Sequence, residues 1–204
     1  MELLELDTPH GPARAHLHAA VKPVGALLLG HGAGGSVTAR DLAAVTEAAL
    51  AARVSVALVE QPYRVAGRKA PAPAHQLDAA WTAAAAQLRG GPLAGLPVVA
   101  GGRSSGARVA CRTAAATGAR GVLCLAFPLR PPARKTGAVA KDRTSELEAV
   151  AVPLLVVQGS GDPFGMPRAA PGREVVAVRG THAPTSDVEA LAAAVAAWLP
   201  GVLA

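Results

Sequence analysis

An α/β chain with a mostly parallel sheet is the fold class predicted here, and three observations predict it. Short continuous apolar runs such as GALLLG and PLLVVQG alternate with longer segments whose apolar residues fall at helical spacing. Those runs lack the polar alternation of a half-exposed strand, so they suit strands covered on both faces. Hydrophobic residues make up 51% of the 204 and charged residues 17%, enough to bury a core in one domain spanning 1–204. Aromatics supply only 2%, so that core is expected to consist of Ala, Val and Leu.

Taken in order, residues 1–7 and 13–21 read as two strands around the turn TPHGP, and 24–29 as the first continuous apolar strand. A glycine-rich loop at 30–35 leads to a helix over 40–52 and a strand over 54–60. The proline-rich stretch 61–74 reads as a loop. In the helix predicted over 75–89, Leu77, Trp81, Ala84 and Leu88 form one buried stripe. A strand at 96–100, a helix at 105–117 and a strand at 121–127 follow. PLRPPARKTGAVAKDR is a basic loop before a short helical stretch at 144–150. Strands at 153–158 and 174–178 precede a last helix over 186–199, with Ser186 as its N-cap and Pro200 and Gly201 as its stop.

Parallel sheets bind ligands at the carboxyl ends of their strands, and four loops there carry reactive residue types. They are GHGAGG at 30–35, GRSSG at 102–106, SGDPFG at 160–165 and THAP at 181–184. Gly102-Arg103-Ser104-Ser105-Gly106 fits G-x-S-x-G between a strand and a helix, the context that motif requires. Its glycines spare the neighbouring backbone a clash, and the turn thrusts Ser104 out of the sheet. A serine hydroxyl needs a base. His182 is that candidate, because it follows the last strand, whereas His10, His16 and His18 lie near the N-terminal hairpin and His75 begins a helix. Asp162 is the candidate acid, and Ser104, Asp162, His182 is the chain order of one serine-hydrolase lineage. A developing oxyanion needs about two N–H donors. Ala33 and Ser105 are the expected pair, with Gly34 as the alternative to Ala33. Arg103 and Phe164 are further candidate substrate contacts, and His31 is expected to order its loop rather than move protons. GHGAGG lacks the GK[ST] ending of a phosphate loop.

With these motifs in place, the chain resembles the α/β-hydrolases, near the small dienelactone-hydrolase-like group. Within that group it is similar to the family typed by testis-expressed protein thirty and the hydrolase-like domain of the third NSL-complex subunit. FPLRPPARK followed by PLLVVQGSGDPFG carries the specific part of the likeness, beside LLGHGAGG and GGRSSGAR. The resemblance implies an α/β-hydrolase fold: a mostly parallel eight-stranded sheet with helices on both faces, and Ser104, Asp162 and His182 as a triad. Lids of this fold enter before the acid-bearing strand; here 128–152 leaves room for a loop and one short helix, so no lid domain and an open site are expected.

The expected function is therefore serine hydrolysis of small acyl esters or thioesters through an acyl-enzyme. The alternative is a hydrolase-fold interaction module with little or no catalysis. No metal or other cofactor is expected, and the expected partner is a small-molecule acyl substrate. Net charge is +6, but the arginines are dispersed and base-stacking aromatics are few, which argues against nucleic acid. Arg103, Arg130, Arg134 and Lys135 read first as solvated surface charges, with a preference for carboxylate-bearing esters as the second reading. Cys111 and Cys124 match no metal spacing and are expected as reduced core thiols. MELLELD lacks the basic region and cleavage site of a signal peptide, and no apolar run reaches the ~20 residues of a membrane span. These features predict a cytoplasmic monomer or small homo-oligomer.

Overall fold

Among the described residues, eight strands form one sheet. The computed structural model describes residues 1–131 and 142–204. The strands are β1 (Glu2–Leu6), β2 (Ala13–His18), β3 (Gly25–Gly30), β4 (Val54–Glu60), β5 (Val98–Arg103), β6 (Gly121–Leu125), β7 (Leu154–Gly159) and β8 (Arg173–Val178). Between them lie α1 (Arg40–Ala51), α2 (Pro62–Val65), α3 (Ala74–Gly90), α4 (Ser105–Thr117), α5 (Thr144–Glu148) and, at the end, α6 (Val188–Leu203). Their order across the sheet is β1-β2-β4-β3-β5-β6-β7-β8, and β2 runs antiparallel to both of its neighbours, β1 and β4. From β4 to β8 every pairing is parallel.

The apolar runs are continuous because the sheet is covered twice. Ala26, Leu28, Ala100, Val122 and Val156 face α3 and α4, where they meet Trp81, Leu88 and Val109. Their alternates Leu27, Leu29, Val99, Leu123 and Val157 face α1 and α6, against Leu42, Val45, Leu191 and Val195. Period-two alternation persists, but both faces are apolar. Leu77, Trp81, Ala84 and Leu88 are all buried on α3, as their spacing predicts.

Several boundaries differ from the sequence expectation for identifiable reasons. Strand β5 continues through Gly101 and Gly102 to Arg103 rather than ending at Ala100, since these glycines are where neighbouring backbones come closest. The loop expected over 61–74 contains α2, with Pro62 supplying a preset φ in its first turn. β6 stops at Leu125 because Ala126 turns left-handed at φ 53°.

The last helix departs most. Asp187, not Ser186, caps α6, its Oδ1 accepting from the Ala190 N–H at 3.3 Å. Pro200 and Gly201 lie inside the helix instead of ending it. Pro200 forfeits one ladder bond, but the turn it sits in docks Val202 over Gly121 and Leu203 over Gly25, positions where a Cβ would collide with them.

The connection from β6 to β7 shows only α5 among its described residues; 132–141 lie outside them. No helix among the described residues is long and apolar enough to cross a membrane.

Candidate active site

Ser104 sits at the junction of β5 and α4 with φ 52° and ψ −102°, a conformation sparsely allowed to a residue with a Cβ. The surroundings hold it there. Its N–H donates to the Leu125 carbonyl at 2.9 Å, and its carbonyl accepts from the Arg108 N–H at 3.2 Å. Space is made by three glycines on two crossing segments. A Cβ on Gly102 would come within 2.5 Å of the Gly30 oxygen, and one on Gly106 within 2.5 Å of the Gly30 carbonyl carbon. Strand β3 and the elbow therefore approach backbone to backbone.

Ser104 Oγ lies 2.8 Å from His182 Nε2, and His182 Nδ1 lies 2.8 Å from Asp162 Oδ2. A carboxylate only accepts, so Nδ1 carries the ring proton and Nε2 is left to accept from the serine hydroxyl. Asp162 follows β7 and His182 follows β8, so the sheet's parallel register brings both beside the end of β5. The Asp162 side chain is 1% exposed and the imidazole 21%. One member is sheltered while the other stays reachable.

Gln158 is a site residue that sequence reasoning missed. It is fully buried near the end of β7. Its Nε2 donates at 2.8 Å to the Asp162 Oδ2 that also receives His182, and lies 3.0 Å from the carbonyls of Phe127 and Gly165. Its Oε1 accepts from Phe127 N–H at 2.8 Å. The Phe164 N–H donates to Asp162 Oδ1 at 2.8 Å. Both carboxylate oxygens are thus held, which fixes the plane against which the imidazole rests. The available signal was a polar residue inside an apolar strand, VVQG.

Phe164, a candidate substrate contact, stacks on the His182 ring, with centroids 4.2 Å apart and planes tilted by 38°. Arg103, a candidate substrate contact, has its charge engaged within the protein rather than solvated. Its Nε lies 2.9 Å from Asp41 Oδ2, whose side chain is 1% exposed. That contact is a charge pairing without hydrogen-bond alignment, because the oxygen has no hydrogen-bond partner among the described residues. The Arg103 guanidinium also reaches the His182 carbonyl at 3.5 Å. Arg130 pairs with Asp142 at 2.7 Å, and Arg134 and Lys135 lie outside the described residues.

The loop after β3 is held from below. Gln61 N–H donates to His31 Nε2 at 3.1 Å, so the ring proton is on Nδ1, which donates to the Gly32 carbonyl at 2.8 Å. Burial pushes the His31 pKa down, in keeping with an imidazole that must stay neutral to accept. Tyr63 Oη donates to the Ala33 carbonyl at 2.7 Å, and burial raises this phenol to about 12. The N–H groups of Ala33, Gly34 and Ser105 donate to no other described residue. That of Gly106 is used by the His31 carbonyl at 3.1 Å.

Cys111 and Cys124 are buried free thiols whose sulfurs are 3.4 Å apart. Burial raises the Cys124 thiol. Among the described residues no group of three His, Cys, Asp or Glu is placed to hold a metal ion.

A family model described as an alpha/beta hydrolase domain matches residues 23–182. No curated protein matches the chain. Among solved structures, Est1E from Butyrivibrio proteoclasticus superposes with a TM-score of 0.79 at 13% identity, covering 100% of this chain and 99% of that one. Dienelactone hydrolase from Anabaena variabilis gives 0.75 at 17% identity, with 98% and 96% covered. XC6422 from Xanthomonas campestris, described as an α/β serine hydrolase without lid, gives 0.69 at 19% identity, with 95% and 91% covered. At these identities the likeness speaks for the fold.

Proposed function

Since this chain belongs to the alpha/beta hydrolase domain family, we propose that it is a serine hydrolase of the carboxylesterase or thioesterase type. The observation that carries this reading is the unbroken chain Ser104 Oγ, His182 Nε2, His182 Nδ1, Asp162 Oδ2, with both links at 2.8 Å. Ser104 Oγ attacks the acyl carbon while its proton passes to His182 Nε2, and the carbonyl becomes an oxyanion. Asp162 stabilises the imidazolium by accepting from Nδ1–H. The oxyanion is held by the Ala33 and Ser105 amides, with the partial positive charge at the start of α4 behind them. Collapse breaks the bond to the leaving oxygen or sulfur, which takes the proton from Nε2. Water then enters by the reverse sequence and releases the acid.

The relatives support the class of reaction: one is a lidless serine hydrolase and another a dienelactone hydrolase. The short connection between β6 and β7 supports an open site for small acyl groups, and FPLRPPARK supports placement beside the testis-expressed thirty and NSL third-subunit group. A fluorophosphonate probe tests the reading. The protein is expected to label, and Ser104→Ala is expected to lose both labelling and turnover of a short-chain nitrophenyl ester. Undiminished labelling in that variant removes Ser104 from the role. A native protein that neither labels nor turns over esters, while holding a partner stably, points to a binding module instead.

A further inference from the structure

Behind the loop after β3 lies a small, mostly apolar cavity with two polar side chains to which the reaction just described gives no role. Its volume is about 10 Å³, and Gln61, Trp81, His31, Tyr63, Ser105 and Gly106 are among the residues that line it. Two of these bury polar atoms without a hydrogen-bond partner among the described residues: Gln61 Oε1, an acceptor, and Trp81 Nε1, a donor. The residues are only 6% and 1% exposed. The other polar groups of Gln61 are committed, its Nε2 to the Leu77 carbonyl at 3.1 Å and its backbone N–H to His31 Nε2 at 3.1 Å. Leu77 and Trp81 are one turn apart on α3, so the unpaired donor and the unpaired acceptor belong to side chains already brought together.

A dry cavity of this kind is ordinarily lined by apolar groups alone, whereas a buried donor and acceptor left unpaired are both costly. The volume matches the roughly 10–15 Å³ that admits one water and nothing larger. We propose that this cavity is a single-water site, in which the water accepts from Trp81 Nε1–H and donates to Gln61 Oε1. The water then joins α3 to Gln61, and Gln61 holds His31, whose Nδ1–H in turn holds the Gly32 carbonyl beside Ala33. Trp81 and Gln61 are thereby positioning residues for the proposed oxyanion donor. This kinetic consequence rests on the acyl-transfer reading; the water site does not.

The test begins with a crystal structure of the full chain at a resolution that shows ordered water, repeated under xenon pressure. One water within hydrogen-bond distance of both Trp81 Nε1 and Gln61 Oε1 is expected. Xenon in the cavity, no density there, or a different partner on Trp81 Nε1 would overturn the proposal, whether or not the protein hydrolyses esters. Trp81→Phe keeps an aromatic ring but removes the donor. It should lower kcat for the nitrophenyl ester about fivefold, the ratio for one lost neutral hydrogen bond, with KM unchanged. Trp198→Phe, at the only other tryptophan, should leave kcat unchanged. A lower melting temperature with unaltered kcat in Trp81→Phe would overturn the positioning role. If that variant does not fold, Trp198→Phe leaves Trp81 as the sole indole, and a nuclear Overhauser effect from its N–H to a bound water is expected. Absence of that effect counts against the site.

Discussion

Replacing Gly102 by alanine tests the backbone geometry on which the nucleophile's position depends. The new Cβ would sit 2.5 Å from the Gly30 oxygen, 2.8 Å from the Gly106 carbonyl carbon and 2.9 Å from the Gly30 nitrogen. Ordinary contact begins at 3.4 Å, so the tightest approach is about 0.9 Å too close. All three opposing atoms are backbone, and no side chain can swing aside. Gly102 has no positive φ, so the effect is one of contact alone. Strand β3 must move from β5 at the register pair Gly30–Gly102, or the elbow must tilt. Overpacking in a dense core costs about 1–3 kcal/mol, and the upper end, about 3 kcal/mol, is expected where both sides are main chain. A shift approaching 1 Å at Ser104 should also lower kcat/KM on the order of 100-fold. Gly201→Ala is the control, because nothing lies within 4 Å of its Cβ and the residue is exposed within α6. That change should stabilise by about 0.5–1 kcal/mol. Urea unfolding of both variants, with ester turnover alongside, gives the comparison. Gly102→Ala unfolding within about 0.5 kcal/mol of the parent, below the overpacking range, and retaining its turnover, would refute the close-approach argument.

Two further predictions concern the supports of the site. His31 has a folded-state pKa below its ordinary 6.5 because it is buried. The unfolded chain therefore binds this proton first as pH falls, and stability should be constant above 6.5 and decline below it, until pH reaches the lower folded value. Its share of the slope approaches about 1.4 kcal/mol per pH unit, and subtracting the pH–stability curve of His31→Gln isolates it; identical curves would exclude His31 as the source. Arg103→Met should strand the buried Asp41 carboxylate and cost about 3–5 kcal/mol in urea unfolding, with much of the loss recovered when Asp41→Asn is added. An equal cost in both backgrounds would show that the two charges are not coupled.

Much of this architecture was legible because most strands and helices, α2 excepted, announce themselves locally. GALLLG and LLVVQG are too short and too apolar to be anything but covered strands, and the α3 stripe of Leu77, Trp81, Ala84 and Leu88 follows helical spacing. The α4 bounds, 105–117, follow from the sequence as well. Where boundaries shifted, a partner distant in sequence was responsible. Gly25 and Gly121 draw α6 past Pro200 by giving Leu203 and Val202 somewhere to dock.

The chain order Ser104, Asp162, His182 and the glycines around the elbow were set by the sequence alone, since both depend on residue type at a position within a loop. Only the tertiary structure decided what surrounds them. Gln158 grips Asp162, Phe164 stacks on the imidazole, and Arg103 turns to Asp41 instead of solvent. The reason is physical: a polar side chain buried by the fold must find its partner among groups from other elements, and which groups arrive depends on the sheet's strand order and register. A linear pattern contains the donor and the acceptor but not the distance between them.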